Sequence, residues 1–335
     1  MQSREEEALT TYAWLIGVAN DPPARAELAG NRRALTYLVN AFDSFIECGR
    51  FLPAMPSAQL HNVIDMGLAF LDEVGRSQWA HGLRLQRGTL LKNEGQRDAA
   101  RQEMEAALAL RRRDPNSLGA TLGAHLCVLG ELLEEMTEHD AAAACYREVW
   151  QGSGHGTYMR QWAAQGLAYV EKSRGELAAA EQWARDAVAL AGQMQSANAQ
   201  VAALEVLIKV LLEQDKVAEL VREGAVYWSL GRLNGTIESK YFTGRELADI
   251  RLAMARAALG LPPNPATPLP DALPAIAASD RRRARRYLVA AERWLARAQE
   301  PARRLDAQVG GQSWRNELLR YEARVRALWA LLAAG

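Results

Sequence analysis

One interval constrains this chain more than any other: a small residue late in one apolar helical pattern is followed, twelve positions on, by a small residue in the next. Gly88 leads to Ala100, Gly130 to Ala142 and Ala168 to Ala180. Two antiparallel helices joined by a short turn approach closely only where facing residues lack bulk, so a fixed offset between small residues marks a repeated helical hairpin. The units fall at Gly88–Leu110, Gly130–Val149 and Ala168–Leu190, and their second small residues lie 42 and 38 positions apart, within the periods of solenoids.

At these residues, and at Arg174-Gly175-Glu176-Leu177-Ala178-Ala179-Ala180-Glu181 in particular, the chain resembles the tetratricopeptide repeat family. The likeness covers roughly residues 81–193. The early Trp of the family pattern is replaced by Arg84, Leu126 and Ala164, and the longer period looks like bacterial sensor- and scaffold-type repeats. The resemblance implies an all-α, right-handed α-solenoid of antiparallel hairpins that binds a protein or peptide. It says nothing of which one.

Composition agrees with a helical chain. Of 335 residues, 49% are hydrophobic and 24% charged, enough apolar content for each hairpin to bury a face on the next. The formal net charge of +0 gives no whole-molecule pull toward nucleic acid or membranes. Cys48, Cys127 and Cys145 are too few and scattered for a disulfide framework, the start Met1–Glu7 does not read as a secretory signal, and no apolar run has membrane-spanning length. A cytoplasmic bacterial protein without a membrane partner is expected.

Four divisions follow from punctuation and pattern. Residues 1–76 read as an N-terminal cap with helices near 3–19, 24–50 and 57–75, separated at Asp21-Pro22-Pro23 and Pro53–Pro56. Residues 77–260 form the repeat solenoid, with later helices near 196–214, 216–232 and 236–260. Residues 261–278, with half of the twelve prolines, read as an extended linker. Residues 279–335 form a basic helical hairpin (279–309 and 312–333) turning at Gly310-Gly311. About fourteen helices in seven hairpins are expected.

From Ser279 onward thirteen Arg face six acidic residues, and Arg281, Arg282, Arg283, Arg285 and Arg286 open the helix against its macrodipole. A solvated arginine face accounts for them most simply. An acidic protein partner is the next reading, and a nucleic-acid surface the weakest of the three.

Because the resembled family lines its groove with the first helix of each hairpin, equivalent positions here are Leu85, Thr89, Lys92 and Asn93, then Cys127, Glu131, Glu134 and Glu135, then Trp162, Gln165, Tyr169 and Lys172. Three glutamates argue against a clamp for a terminal carboxylate. They suit a segment with a basic residue, Trp162 and Tyr169 meeting its apolar anchor. A wetted acidic face explains them equally.

Chemistry is sparse. The five histidines, His61, His81, His125, His139 and His155, show no metal-ligand spacing, Gly152–Thr157 lacks the Lys of a phosphate loop, and no Gly-x-Ser-x-Gly elbow occurs. No cofactor, no metal and no catalysis are expected. The function read from these residues is that of a non-catalytic scaffold or adaptor, the alternatives being a peptide-responsive regulator or a nucleic-acid-associated factor using Arg281–Arg286.

Overall fold

The helical periodicity is realised throughout. A computed structural model describes residues 2–18, 21–50, 55–113, 121–234, 237–309 and 312–334. Among them are fifteen α-helices and one 3₁₀ turn, with no strand: α1 (Gln2–Val18), α2 (Pro22–Gly30), α3 (Arg32–Gly49), α4 (Ser57–Glu73), the turn Ser77–Ala80, α5 (His81–Asn93), α6 (Arg97–Arg113), α7 (Leu122–Glu135), α8 (His139–Gln151), α9 (Thr157–Ser173), α10 (Leu177–Gln193), α11 (Ala197–Glu213), α12 (Val217–Asn234), α13 (Ile237–Ala258), α14 (Ala278–Val309) and α15 (Ser313–Ala334). The chain forms two compact units, residues 1–155 and 156–335. Pro53, Pro115 and the Gly310-Gly311 turn lie outside the described residues.

The single helix expected over 24–50 is two. Asn31 leaves helical geometry, and its side-chain oxygen accepts from the backbone N–H groups of Arg33 and Ala34 at 3.1 Å each, capping α3. An asparagine that can cap a new helix competes with continuation of the old one. Asp21 caps α2 likewise, accepting from Ala24 N–H, with Pro22 and Pro23 in the first turn where their missing donors cost nothing.

In unit 1 the hairpins α5–α6 and α7–α8 stack in order, with α3 and α4 packed on α5. Phe42, Ile46, Ile64, Leu71 and Leu83 are its fully buried centre. The small residues act as foreseen, and the structure adds their partners, sixteen positions on. A Cβ at Gly88 would meet the Met104 side chain at 2.6 Å, and one at Gly130 would meet the Tyr146 ring at 2.8 Å. In unit 2 the equivalent pair is Ala168 and Ala184, both buried in one core. Where the second helix brings a long or aromatic side chain the first must be glycine; where it brings alanine, alanine suffices.

Turns repeat as strictly as helices. Two residues beyond the ends of α5, α7, α9, α10 and α11 stand Gly95, Thr137, Gly175, Gln195 and Asp215, all with positive φ. The next N–H then closes back on the helix, as from Gln96 to the Leu91 carbonyl and from Glu176 to the Glu171 carbonyl.

In unit 2, α9–α10 and α11–α12 stack on one another, followed by α13, α14 and α15, which share a core around Tyr241, Leu252, Leu288, Leu295 and Leu328. The proline-rich segment is irregular, as its composition requires, yet it is held down. Leu261 is buried, Leu269, Leu273 and Ile276 pack on that core, Arg256 donates to the Pro262 carbonyl at 2.6 Å, and Asn264 N–H donates to Asp215 at 3.0 Å.

Candidate partner-binding surfaces

In unit 1, neighbouring helices α5 and α7 carry the expected acidic positions. Lys92 Nζ stands 3.0 Å from Glu135 Oε1 and 3.7 Å from Glu131 Oε2. The acidic stripe is therefore partly neutralised within the protein. Glu134 is half-buried, and with Glu131 it adds to burial in pushing the Tyr146 phenol up. Asn93 is exposed at the end of α5.

Two of the expected groove positions are core instead. Leu85 and Cys127 are 6% and 0% exposed, because their register turns them onto the packed side of their helices, and burial drives the Cys127 thiol up. Thr89 turns its hydroxyl to the Leu85 carbonyl, 3.0 Å away. His81 and His125 are also buried, their rings 5.1 Å apart, and burial lowers the His125 pKa.

In unit 2, α9 places Tyr158, Trp162, Gln165 and Tyr169 at four, three and four spacing, which is one helix face. Tyr158 is exposed and its ring lies 6.2 Å from that of Trp162. Trp162, Gln165 and Tyr169 are half-buried. Lys172 is paired with Glu213 at 3.0 Å.

From Tyr169 a continuous polar row crosses four helices. Lys209 Nζ on α11 donates to Tyr169 Oη at 3.3 Å and to Glu205 at 2.7 Å. Glu205 accepts from Arg245 of α13 at 3.0 Å, and Arg245 donates to Glu317 of α15 at 2.9 Å. Glu317 also accepts from the Tyr241 hydroxyl at 2.5 Å. Arg245 further pairs with its neighbour Glu246, and both are buried.

Each ionisation in this row reflects burial set against charge. Burial opposes the Lys209 ammonium, but Glu205 outweighs it and holds the group above its usual range. Arg245 is held up in the same way by Glu246 and Glu205. Burial pushes the Glu246 carboxyl up against the attraction of Arg245. Asp249, one turn on, is pushed up to about 8 by burial and by Glu246, with Arg324 opposing at 4.0 Å.

Sequence reading reached Tyr169 and missed the rest. Glu205 and Lys209 sit four apart inside a strongly apolar helix, whereas Arg245, Glu246 and Asp249 lie in a helix charged along its whole length. In the first, charges breaking an apolar stripe at helical spacing were the available signal.

The arginine cluster opens α14. Arg282, Arg283, Arg285 and Arg286 are exposed and Arg281 half-buried, while Ala284, Leu288, Ala291 and Leu295 bury the opposite face. Asp280 stands 3.5 Å from Arg283. The aromatic residues Tyr287 and Trp294 pack against the core of α13–α15.

These features define an all-α helical-repeat protein built of stacked antiparallel hairpins. The sequence matches no family model, and no curated protein matches it. Among solved structures, the chain is similar to BtubC (BKLC) from P. vanneervenii, with 12% identity and a TM-score of 0.57 over 69% of this chain and 93% of that one, a likeness of fold. A Rap protein complexed with Competence and Sporulation Factor aligns with 11% identity and a TM-score of 0.44, over 98% of this chain and 100% of that one. No helix among the described residues is long and apolar enough to cross a membrane.

Proposed function

We propose that this chain is a non-catalytic scaffold or adaptor that holds a protein or peptide segment against the first helices of its hairpins. The observation that carries the reading is the polar row from Tyr169 through Lys209, Glu205 and Arg245 to Glu317. Helices that only stack need no charges between them, and removing charges from water is costly. A row of alternating sign with a half-buried aromatic end suits recognition of an extended segment, whose anchor would meet Tyr158 and Trp162. Resemblance to tetratricopeptide repeats over residues 81–193 supports the same use. Separately, in unit 1, Glu131, Glu134 and Glu135, tempered by Lys92, offer a contact for a basic residue.

The test is capture of partners from a cell lysate by the tagged full chain, read by mass spectrometry. Tyr158→Ala/Trp162→Ala should deplete a captured protein by about tenfold, equivalent to the loss of one anchor. Glu131→Lys/Glu134→Lys should weaken it less. Equal capture by wild type and both folded variants would retire the reading.

A further inference from the structure

A cavity of about 680 Å³ opens between the end of α12, the first turns of α13 and the later half of α14, and no residue of the polar row lines it. Gly244 brings α13 hard against α14, since a Cβ there would stand 2.9 Å from Ala298 Cβ and 3.0 Å from the Trp294 carbonyl oxygen. On the other side Trp228 and Trp294 meet edge to face, centroids 4.7 Å apart, and form an aromatic wall. Pro301 supplies no N–H to the Arg297 carbonyl one turn back, so the helix loses one internal bond beside the hollow.

The described rim is mainly positive. Among the described residues, Arg232, Lys240, Arg297 and Arg304 line the cavity with one carboxylate, that of Glu300. Arg232 lies 5.4 Å from the Trp228 ring centroid and Arg297 lies 4.5 Å from that of Trp294, so two guanidinium groups are laid on the aromatic wall. Among the described residues no carboxylate stands within ion-pair distance of any of the four cations. Thr243 also lines the cavity, but its hydroxyl is buried against Gly231 and beside Tyr227.

We propose that this cavity binds a small organic anion with a flat apolar body, the ring packed on Trp228 and Trp294 and the anionic group held by Arg232, Lys240 and Arg304. Its volume falls in the range of small-molecule sites, roughly 300–1,000 Å³, which are mostly apolar with a few converging polar groups. Guanidinium pairs suit phosphate and carboxylate alike, and an aromatic phosphate and an aromatic carboxylate share the required chemistry.

The full chain should bind anilinonaphthalene sulfonate saturably, followed by dye fluorescence. Adenosine monophosphate or indole acetate should displace it, the tighter of the two naming the anion. Adenosine and inorganic phosphate, each with half of the chemistry, should compete at least about tenfold more weakly. Arg232→Glu/Arg304→Glu, at exposed positions, should weaken dye and competitor by about tenfold or more with an unchanged melting temperature. Absence of saturable dye binding, no displacement by either aromatic anion, equal competition by the half-ligands, or unaltered affinity in the variant would each overturn the assignment. These readouts do not involve Tyr158, Trp162 or the polar row, so the outcome is independent of the scaffold reading.

Discussion

Arg245 and Glu317 are 72 positions apart in sequence, and their side chains meet at 2.9 Å. Arg245 is 7% exposed and answers three carboxylates, those of Glu205, Glu246 and Glu317. Removing it would leave Glu246, which is 2% exposed, buried without its ion-pair contact, Lys209 acting only from farther off.

Arg245→Met should therefore lower stability by about 3–5 kcal/mol at neutral pH, the usual cost of orphaning one partner of a buried pair. Arg245→Met/Glu246→Leu should recover most of the loss, because an apolar pair of similar volume carries no desolvation cost. Urea denaturation of both variants, followed by circular dichroism, checks the difference.

Asp249 sets a pH dependence. Burial first, then Glu246, raises its carboxyl to about 8, and an unfolded Asp titrates near 3.9. Between these values the folded chain binds a proton that the unfolded chain does not. Stability from this group thus falls as pH rises from about 4 to 8 and is level above. Asp43 in unit 1, raised to about 7 by burial and by Glu47, slopes the same way over a slightly narrower window. Asp249→Asn should be close to neutral at pH 4 and stabilising at pH 9; thermal melts at the two pH values test this.

At the hairpin contacts, size decides the response. Gly130→Ala places a methyl group 2.8 Å from the buried Tyr146 ring and should cost about 1–3 kcal/mol by overpacking. Ala168→Gly removes a small side chain from the core it shares with Ala184 and should cost about 1 kcal/mol, mostly helix propensity. Urea midpoints should order the two variants in that sense.

Thr137 holds a left-handed conformation, φ 63°, where Gly95 and Gly175 stand in the neighbouring hairpins. Thr137→Gly should stabilise by about 1 kcal/mol, since a β-branched residue is strained there. Asp215→Gly should gain less, because the carboxylate that accepts Asn264 N–H at 3.0 Å goes with it. Melting temperatures of the two variants separate relief of strain from loss of that tether.

Fold was legible because hairpin packing writes itself locally: Gly88, Gly130 and Ala168 lie in helices whose apolar spacing is plain. The break at Asn31 was not, since a capping asparagine inside an apolar stripe looks like any polar position until its backbone turns. Of the expected surface positions, Tyr169 and Trp162 lie on one face of α9, whereas Leu85 and Cys127 point inward. A shift of one residue on a helix turns a side chain by about 100°, and the family pattern does not fix that rotation here. The polar row escaped notice because its members are dispersed over more than a hundred residues, and only stacking brings them into line.

The links among α9, α11, α13 and α15 also limit what evolution or an engineer can do with these hairpins. An array held together by grease alone tolerates deletion or duplication of a module, because any apolar flank can succeed any other. Here each flank is keyed. Excising α11 and α12 would bring the Tyr169 hydroxyl opposite Arg245 and strip that guanidinium of its Glu205 acceptor, leaving Glu246 and Glu317 to serve it. The second unit has consequently traded modularity for a fixed order of parts.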